Sequence, residues 1–447
     1  MATGIHLNST IGNGGGIQIT YPGKKSFSDI ISGKVANTIN FKQPNSEGIL
    51  YCGENIEILR SLLTDSNVCG KVDLIYIDPP FATGSSFESR KQKIAYSDVM
   101  QGADFVEFIR ERVLILRTLL SKQGSLYLHL DSRMVCTIKI ILDEIFGEKN
   151  FRALITRKKS NPKNYTRKSY GNIADYILFY SKTDDYYWNR QTTPLSEEQL
   201  KEYRYVDELG RRHMRVPIHA PGIRNGETGG KWKGMLPPPG KHWQYKPSTL
   251  DELDNNGHIH WSSNGNPRKK VYLDEHSGVS VQDIWMDFKD AHNQNVKITG
   301  YPTEKNPDLL ERIIRASSHE NSLILDCFAG SGTTLDVASK LGRKWIGIDS
   351  SFESIATIFH RLAHGTSKMG DFRSSSLKED NEELLLFDES SVFDFSVDQR
   401  VFEPLLEFSK QDSRSDLYKV MSLLDDKKKT QQSHAFAPKR RQKLVES

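Results

Sequence analysis

Cysteine is rare and long apolar runs are absent in this sequence of 447 residues. The four cysteines, Cys52, Cys69, Cys136 and Cys327, form no Cys-x-x-Cys pair, which argues against a zinc site and a disulfide framework. His258 and His260 would share one face of a strand but lack further ligands, so we predict no metal. No apolar run approaches the roughly 18 residues that span a bilayer, and the N-terminus lacks the features of a secretory signal. These absences predict a cytoplasmic protein without membrane contact.

Positive charge is concentrated in the middle of the chain, although the net charge is only +4. Residues 151–190 contain nine Lys or Arg against three acids, and residues 211–250 contain eight against one. Residues 371–400 reverse this balance, with nine acids against three bases. The basic block favours an anionic partner, whereas the acidic segment is typical of a solvated tail.

Strand and helix patterns alternate in two separate parts of the chain, residues 48–184 and 301–366. The apolar runs ILYCG, VDLIYI and SLYLHL predict strands, and SLILD and KWIGID repeat the pattern later. Such alternation predicts an α/β fold with a doubly wound, mostly parallel sheet. Residues 185–300 are predicted to be an insertion, and residues 1–47 a loosely packed N-terminal extension. Residues 367–447 are predicted to be a charged, partly disordered tail in which LLEFSK and LYKVMSLL form short helices.

The sequence Asp78-Pro79-Pro80-Phe81 follows directly after the predicted strand VDLIYI. Ligands gather at the carboxyl ends of strands in open α/β sheets, so this segment is a candidate catalytic loop. A plain turn is the alternative, because proline stops strands and aspartate favours turns. The position after a buried type of strand, with an aromatic residue next, favours the catalytic interpretation.

A second motif, DCFAGSGTT at residues 326–334, combines a strand end, a glycine turn and a helix start. Glycines after a strand allow a ligand to approach the backbone closely, at the N-terminus of the following helix. Leu335 stands where a dinucleotide-binding fingerprint has its third glycine, which disfavours a dehydrogenase. The next predicted strand ends at Asp349, an acid that can hold the ribose hydroxyls of an adenosine ligand.

Together the two motifs resemble those of the permuted, β-class DNA amino-methyltransferases of restriction-modification systems. In that class a DPPY/F motif precedes the target-recognition region and an FxGxG motif comes last, which is the order of DPPF at 78 and FAGSG at 328 here. The resemblance implies a Rossmann-like sheet that binds S-adenosylmethionine (AdoMet), with an inserted target-recognition region. It also implies double-stranded DNA as a partner, and allows a cognate restriction endonuclease and a homodimer.

The resemblance indicates which residues surround the cofactor. Residues 300–318 are similar to the family's TQKP stretch, with Thr303 and Lys305 matching and Glu304 and Asn306 departing from its Gln and Pro. The predicted cofactor-binding residues are Glu54, Asn55, Thr303, Lys305, Asp326, Phe328, Gly330, Gly332, Thr333 and Asp349. For Glu54, an interaction with the dipole of the following helix is an equally good explanation.

The chemistry of an exocyclic amine explains the residue types of the first motif. The lone pair of adenine N6 is delocalised into the ring, so the amine is a poor nucleophile until its hydrogens are held. The carboxylate of Asp78 and the carbonyl of Pro79 can accept those hydrogen bonds, and the ring of Pro80 stiffens the turn. Phe81 offers a face for a base flipped out of the duplex. We therefore predict methylation of adenine N6 by these four residues.

Two other functions are rivals to this prediction. Cytosine N4 is an alternative target on the same fold, although that branch of the family more often has Ser at the position of Asp78. A nucleic-acid-binding module without activity is the alternative from another class. Intact Asp78, Gly330 and Asp349 argue against it.

The segment RKKSNPKNYTRK mixes cations with Asn and Tyr, as expected for contacts with DNA phosphates. The predicted DNA-binding residues are Arg157, Lys158, Lys159, Asn161, Lys163, Tyr165, Arg167 and Lys168. A solvated charged loop is the alternative. The stretch KWKGMLPPPGKHWQYK is a candidate for base stacking, or else Trp232, Trp243 and Tyr245 form a small apolar core. Ala174-Asp175-Tyr176 stands where the family usually has His-Glu-Tyr.

Overall fold

The computed structural model describes residues 19–80, 102–161, 168–288, 297–298, 304–368 and 393–435, with only the backbone of 297–298, 367–368 and 431–435. Five of the predicted site residues, Phe81, Thr303, Lys163, Tyr165 and Arg167, lie outside these ranges. Among the helices of the described ranges, none is both long enough and apolar enough to cross a membrane.

Strands and helices alternate through most of the described chain. In chain order the strands are β1 (Thr38–Phe41), β2 (Gly48–Cys52), β3 (Val72–Ile77), β4 (Leu120–Leu130), β5 (Phe151–Lys158), β6 (Ala174–Ser181), β7 (Thr192–Thr193), β8 (Tyr205–Val206), β9 (Arg212–Pro217), β10 (His219–Pro221), β11 (Lys241–Trp243), β12 (Ile259–Trp261), β13 (Pro267–Tyr272), β14 (Val279–Ser280), β15 (Ile284–Trp285), β16 (Lys297–Ile298), β17 (Leu323–Asp326), β18 (Lys344–Asp349), β19 (Ser367–Lys368) and β20 (Phe393–Asp398). The helices are α1 (Phe27–Ile31), α2 (Asn55–Leu62), α3 (Ala103–Leu119), α4 (Val135–Phe146), α5 (Glu197–Glu202), α6 (Pro247–Asn255), α7 (Pro307–Ser317), α8 (Thr333–Lys340), α9 (Phe352–His364), α10 (Gln399–Ser409) and α11 (Asp416–Ala435).

A ten-stranded sheet organises the larger part of the chain, in the order β1-β20-β2-β18-β17-β3-β4-β6-β5-β15. Neighbours from β20 to β4 are parallel, whereas β6 runs antiparallel to both β4 and β5. β3 has the sequence VDLIYI and is buried at all positions but one, as expected for a central parallel strand covered on both faces. The predicted α/β fold with a mostly parallel sheet is confirmed.

The two sequence motifs meet where the connections of the sheet diverge. β17 is hydrogen-bonded to β3, yet the chain continues from β17 to β18 on one side and from β3 to β4 on the other. Such a switch point opens a crevice at the carboxyl ends of the two strands, where ligands bind in open α/β sheets. Asp78 follows β3 and the glycine turn follows β17, so both motifs lie at this crevice.

Residues 393–435 are folded, so the prediction of a charged, partly disordered tail is wrong for this part of the chain. β20 lies within the central sheet, between β1 and β2. Its apolar residues Phe393, Phe395 and Val397 recur at every second position and are all buried. The segments LLEFSK and LYKVMSLL lie in α10 and α11, as predicted.

The predicted loose N-terminal extension is also wrong for residues 27–41. Ser26 and Asp29 form a capping box at the start of α1, and Arg60 Nε of α2 donates to the carbonyl of Ile30 at 2.6 Å. β1 pairs antiparallel with β20 at the edge of the sheet. This strand therefore depends on a partner from the other end of the chain, which its own polar composition does not reveal.

Residues Arg190–Val281 form a compact unit of their own, which is shorter than the predicted insertion 185–300. β15 falls within the predicted range but pairs with β5 in the central sheet. Four strands of the unit form a sheet in the order β12-β13-β9-β8. Trp232 and Trp243 are buried in its apolar core, so the core interpretation of the aromatic stretch is confirmed and base stacking by these two rings is excluded.

Candidate active site

Asp78 lies at the carboxyl end of β3 and forms an ion pair with Lys305. The distance from Lys305 Nζ to Asp78 Oδ2 is 2.6 Å, and the two side chains are 14% and 18% exposed. Within the described part of the chain, the other carboxylate oxygen, Oδ1, is buried and accepts no hydrogen bond. Burying an acceptor without a donor costs free energy, so this oxygen has capacity for a donor from a ligand.

The glycine turn after β17 depends on conformations that other residues avoid. Gly330 has a φ of +51° and Gly332 a φ of +74°. A Cβ on Gly332 would lie 2.8 Å from Cγ1 of Ile358, so a side chain there would clash with α9. Glycine at position 332 therefore allows the turn to pack against α9 in a left-handed conformation.

Asp349, at the end of β18, ties its strand to the glycine turn. Its Oδ2 accepts a hydrogen bond from the N–H of Gly330 at 2.8 Å, and its Oδ1 accepts one from Ser351 at 2.9 Å. Burial raises the pKa of the Asp349 carboxyl, while these backbone donors oppose the rise. The acid predicted to hold a ribose thus also fixes the turn, and its ribose contact stays a prediction.

Asp326 lies beneath the turn and is 2% exposed. Its carboxylate accepts a hydrogen bond from the N–H of Phe328 at 3.0 Å, and the side chain of Thr334 also donates to it. Burial is the main reason that the pKa of Asp326 rises to about 7. These two bonds stabilise the glycine turn from its buried side, and the predicted cofactor contact of Asp326 stays a prediction.

The raised pKa of Asp326 makes stability depend on pH. Between the unfolded value of 3.8 and about 7 the folded state binds a proton that the unfolded state has lost, so stability falls as pH rises through this window. For one proton the slope is about 1.4 kcal/mol per pH unit. Asp326→Asn lacks this contribution. As pH rises from about 5 to about 8, the free energy of unfolding of the original chain should therefore fall relative to that of the variant. Unfolding midpoints measured over this range would contradict the assignment if the two proteins changed in parallel.

Glu54 and Asn55 lie at the start of α2, next to the glycine turn. Asn55 Nδ2 donates to the carbonyl of Cys327 at 2.8 Å, and the amide oxygen accepts from Arg112 Nε at 2.7 Å. Arg112 of α3 also binds Glu54 Oε1 at 2.7 Å, and its guanidinium centre lies 6.0 Å from the ring of Phe328. The structure therefore brings three predicted cofactor residues together around Arg112, which the sequence reasoning missed. The signal was a cation within the apolar helix pattern of α3.

Arg361 of α9 joins the segment of Lys305 to the glycine turn. Its guanidinium is buried, donates from Nε to the carbonyl of Ser331 at 2.7 Å and forms an ion pair with Glu304. Glu304 is one of the two departures from the family's TQKP stretch, and its carboxylate compensates the charge of this buried arginine. Holding Glu304 also fixes its neighbour Lys305, which pairs with Asp78.

The predicted DNA-binding segment is only partly available for phosphate contacts. Arg157 is fully buried and pairs with Asp175, so its assignment to DNA was wrong because the guanidinium is used within the core. Lys158 and Lys159 are half-buried, whereas Asn161 and Lys168 are exposed. β5 is parallel to β4 and ends at Lys158, so the segment after it begins at the sheet edge where Asp78 lies.

A glycine turn and a charged Asp-Pro-Pro segment, side by side at the switch point of a mostly parallel sheet, define the class of AdoMet-dependent methyltransferases. Within this class the chain belongs to the DNA methylase family that modifies adenine N6 or cytosine N4, whose model matches residues 72–361. The family uses AdoMet, so the predicted cofactor is confirmed.

Relatives of this family are similar to most of the chain. The type II methyltransferase M.EcaI of Enterobacter cloacae is 42% identical over 431 residues, which cover 94% of this chain and 93% of the relative. The Mod subunit of the type III restriction-modification enzyme StyLTI of Salmonella typhimurium is 26% identical over 358 residues, covering 72% of this chain and 54% of that protein. The crystal structure of an M1.HpyAVI-SAM complex is 18% identical with a TM-score of 0.39, over 70% of this chain and 98% of that one.

Proposed function

We propose that this DNA methyltransferase transfers the methyl group of AdoMet to N6 of adenine at specific sites in double-stranded DNA. The observation that carries the proposal is the Asp78 carboxylate, paired with Lys305 at 2.6 Å at the switch point, whose other oxygen is buried and has no hydrogen-bond partner among the described residues. AdoMet supplies an electrophilic methyl group on a sulfonium. The residues of the chain supply position and electrostatics.

Each polar group at the end of β3 has a distinct role in the proposed step. A target adenine turned out of the duplex presents two N6 hydrogens, one to the Asp78 carboxylate and one to the carbonyl of Pro79. Lys305 pairs with one oxygen of this carboxylate and fixes its orientation. Phe81 stacks on the flipped base in this proposal, and Pro80 stiffens the loop.

The residues around the glycine turn fit a ligand with an adenosine and an amino-acid part. The turn has two glycines with positive φ at the start of α8, which is the kind of backbone that a ligand can approach closely. We assign Phe328, Gly330, Gly332 and Thr333 to its methionine part and Asp349 to its ribose. Thr303 is assigned to its carboxylate, and Glu54 with Asn55 to its adenine side.

The half-buried Lys159 and the exposed Lys168, both after β5, are proposed to contact phosphates. Lys159→Ala together with Lys168→Ala should weaken binding to all duplexes alike and lower the slope of log affinity against log salt by about 1 to 2, because each lost phosphate contact removes about 0.9 of slope. Fluorescence anisotropy over a salt series measures this slope. Lys122→Ala is the control, because Lys122 lies near the start of β4, at the opposite edge of the sheet from Asp78. An unchanged slope in the double variant would assign these lysines to a solvated loop.

The target atom is tested by nucleoside analysis. Purified protein, AdoMet and mixed-sequence DNA should yield N6-methyladenine on digestion to nucleosides and mass spectrometry. If the digest contains N4-methylcytosine and no N6-methyladenine, the target base is cytosine and the proposal of adenine is wrong. Because the StyLTI Mod subunit is named as part of a type III restriction-modification enzyme, we propose the same setting for this chain. A partner endonuclease, a homodimer and a cytoplasmic location are predictions that accompany it.

A further inference from the structure

A row of polar side chains crosses four neighbouring strands beneath the Asp78 loop. Tyr76 of β3 is hydrogen-bonded through its hydroxyl to His129 Nδ1 of β4 at 2.8 Å. His129 Nε2 lies 3.0 Å from Asp175 Oδ2 of β6, and Arg157 Nη1 of β5 donates to the same oxygen at 3.2 Å. We call Tyr76, His129, Asp175 and Arg157 the buried polar row.

Every member of the buried polar row is shielded from solvent, with 4% exposure or less. Burial alone would raise the pKa of Asp175, but His129 and Arg157 outweigh it and hold the pKa well below its usual range. Burial also raises the pKa of Tyr76 well above 10, and the charge of Asp78 adds to this rise. The row therefore contains an ionised carboxylate at neutral pH and a phenol that keeps its proton.

Stability does not explain why a core would contain such a row. A buried ion pair gains little over well-packed apolar residues of similar volume, because both charges lose their hydration. The row lies where β3 and β4 end and β6 begins, which is the sheet edge of the catalytic loop. The row is therefore placed to hold the strand ends at this edge in position.

One end of the row lies next to Asp78, and the other end reaches the segment that follows β15. Tyr76 stands two residues before Asp78, so its hydroxyl anchors the strand just where the loop begins. At the other end, Arg157 Nε donates to the carbonyl of Phe288 at 3.2 Å. The row therefore ties the end of β3, next to Asp78, to the neighbouring strands β4, β6 and β5.

We propose that the buried polar row positions Asp78 for methyl transfer, with Tyr76, His129 and Asp175 as positioning residues. The proposal rests on the proposed function and goes beyond it, since none of these residues touches the substrate. A displacement of about 1 Å at a reacting group can lower a rate by about a hundredfold, so losing one anchor should affect the chemical step more than binding.

The test compares two tyrosines that are register partners on the neighbouring strands β3 and β4. Tyr76→Phe removes the hydroxyl bound to His129, whereas Tyr127→Phe removes an equally buried hydroxyl bound to Ser317 Oγ at 2.7 Å. Single-turnover methylation at saturating AdoMet and DNA should fall about tenfold in Tyr76→Phe and less than about twofold in Tyr127→Phe. AdoMet affinity and melting temperature should change equally in the two variants.

A second variant tests Asp175, an inner member of the buried polar row. Asp175→Asn should lower the single-turnover rate at least as much as Tyr76→Phe, and Asp175→Glu should restore part of it because the carboxylate returns. If Asp175→Asn fails to fold, the tyrosine pair still decides. Equal rates in Tyr76→Phe and Tyr127→Phe, with the original chain fully active on adenine, would overturn the proposal that the buried polar row positions Asp78. An original chain inactive on adenine would instead overturn the proposed function.

Discussion

Asp78→Asn is expected to lower methyl transfer by about a hundredfold to a thousandfold, the usual loss when one preorganised group at a reacting centre is removed. The variant keeps the shape of the side chain but replaces a charged acceptor by an amide. The amide cannot pair with Lys305, which is 2.6 Å from the carboxylate in the structure. Initial rates with labelled AdoMet and duplex DNA measure the effect, and calorimetry measures AdoMet binding.

AdoMet affinity should stay within about threefold in Asp78→Asn, because the glycine turn after β17 lies on the neighbouring strand and is unchanged. Asp73→Asn, at the opposite end of β3, is a matched control for the loss of a carboxylate from this strand. Loss of AdoMet binding together with activity would mean that Asp78 belongs to the cofactor site. Full activity would remove the catalytic interpretation of the Asp-Pro-Pro segment altogether.

Lys305→Met is expected to lower methyl transfer by about tenfold to a hundredfold, which corresponds to losing one hydrogen bond to a charged group. Methionine preserves much of the length and apolar stem of lysine, so the change removes mainly the cation next to Asp78. The effect should appear in the single-turnover rate at saturating AdoMet, because the ion partner of Lys305 in the structure is Asp78, the carboxylate to which we assign catalysis.

Lys305→Arg is the matched variant for this second prediction, since it restores a cation without the original geometry. It should recover part of the rate. A variant Lys305→Met with a normal rate and greatly weakened AdoMet binding would instead support the cofactor-binding role that the family resemblance implies for Lys305. The two roles of Lys305 are therefore separated by which parameter changes.

The sequence alone predicts the central sheet because its strands are continuous apolar runs that end in recognisable residues. VDLIYI before Asp78 and SLILD before the glycine turn both became parallel strands, as expected. The strand β20 was not predicted, because its alternating Phe393, Phe395 and Val397 lie within an acidic segment and β20 depends on β1 and β2 for hydrogen bonds. Pairing between chain ends has no local signal.

The candidate site shows the same division between local and distant information. The motif residues are recognisable because each lies at a strand end of its own segment. Lys305 was assigned to the cofactor, and its pairing with Asp78, more than 200 residues earlier in the chain, is evident only in the folded structure. Arg157 looked like a phosphate contact because it begins a basic run, yet its partner Asp175 lies on the next strand. Side-chain pairs across strands require the register, which the composition does not contain.

Single-molecule sequencing of host DNA with modification detection tests the central claim most directly, with the gene intact, deleted, or carrying Asp78→Asn. We predict N6-methyladenine at one position of a fixed sequence motif with the intact gene. The mark should be absent in both other strains. The same N6-methyladenine pattern in all three strains, or methylation of cytosine N4 alone, would contradict the account.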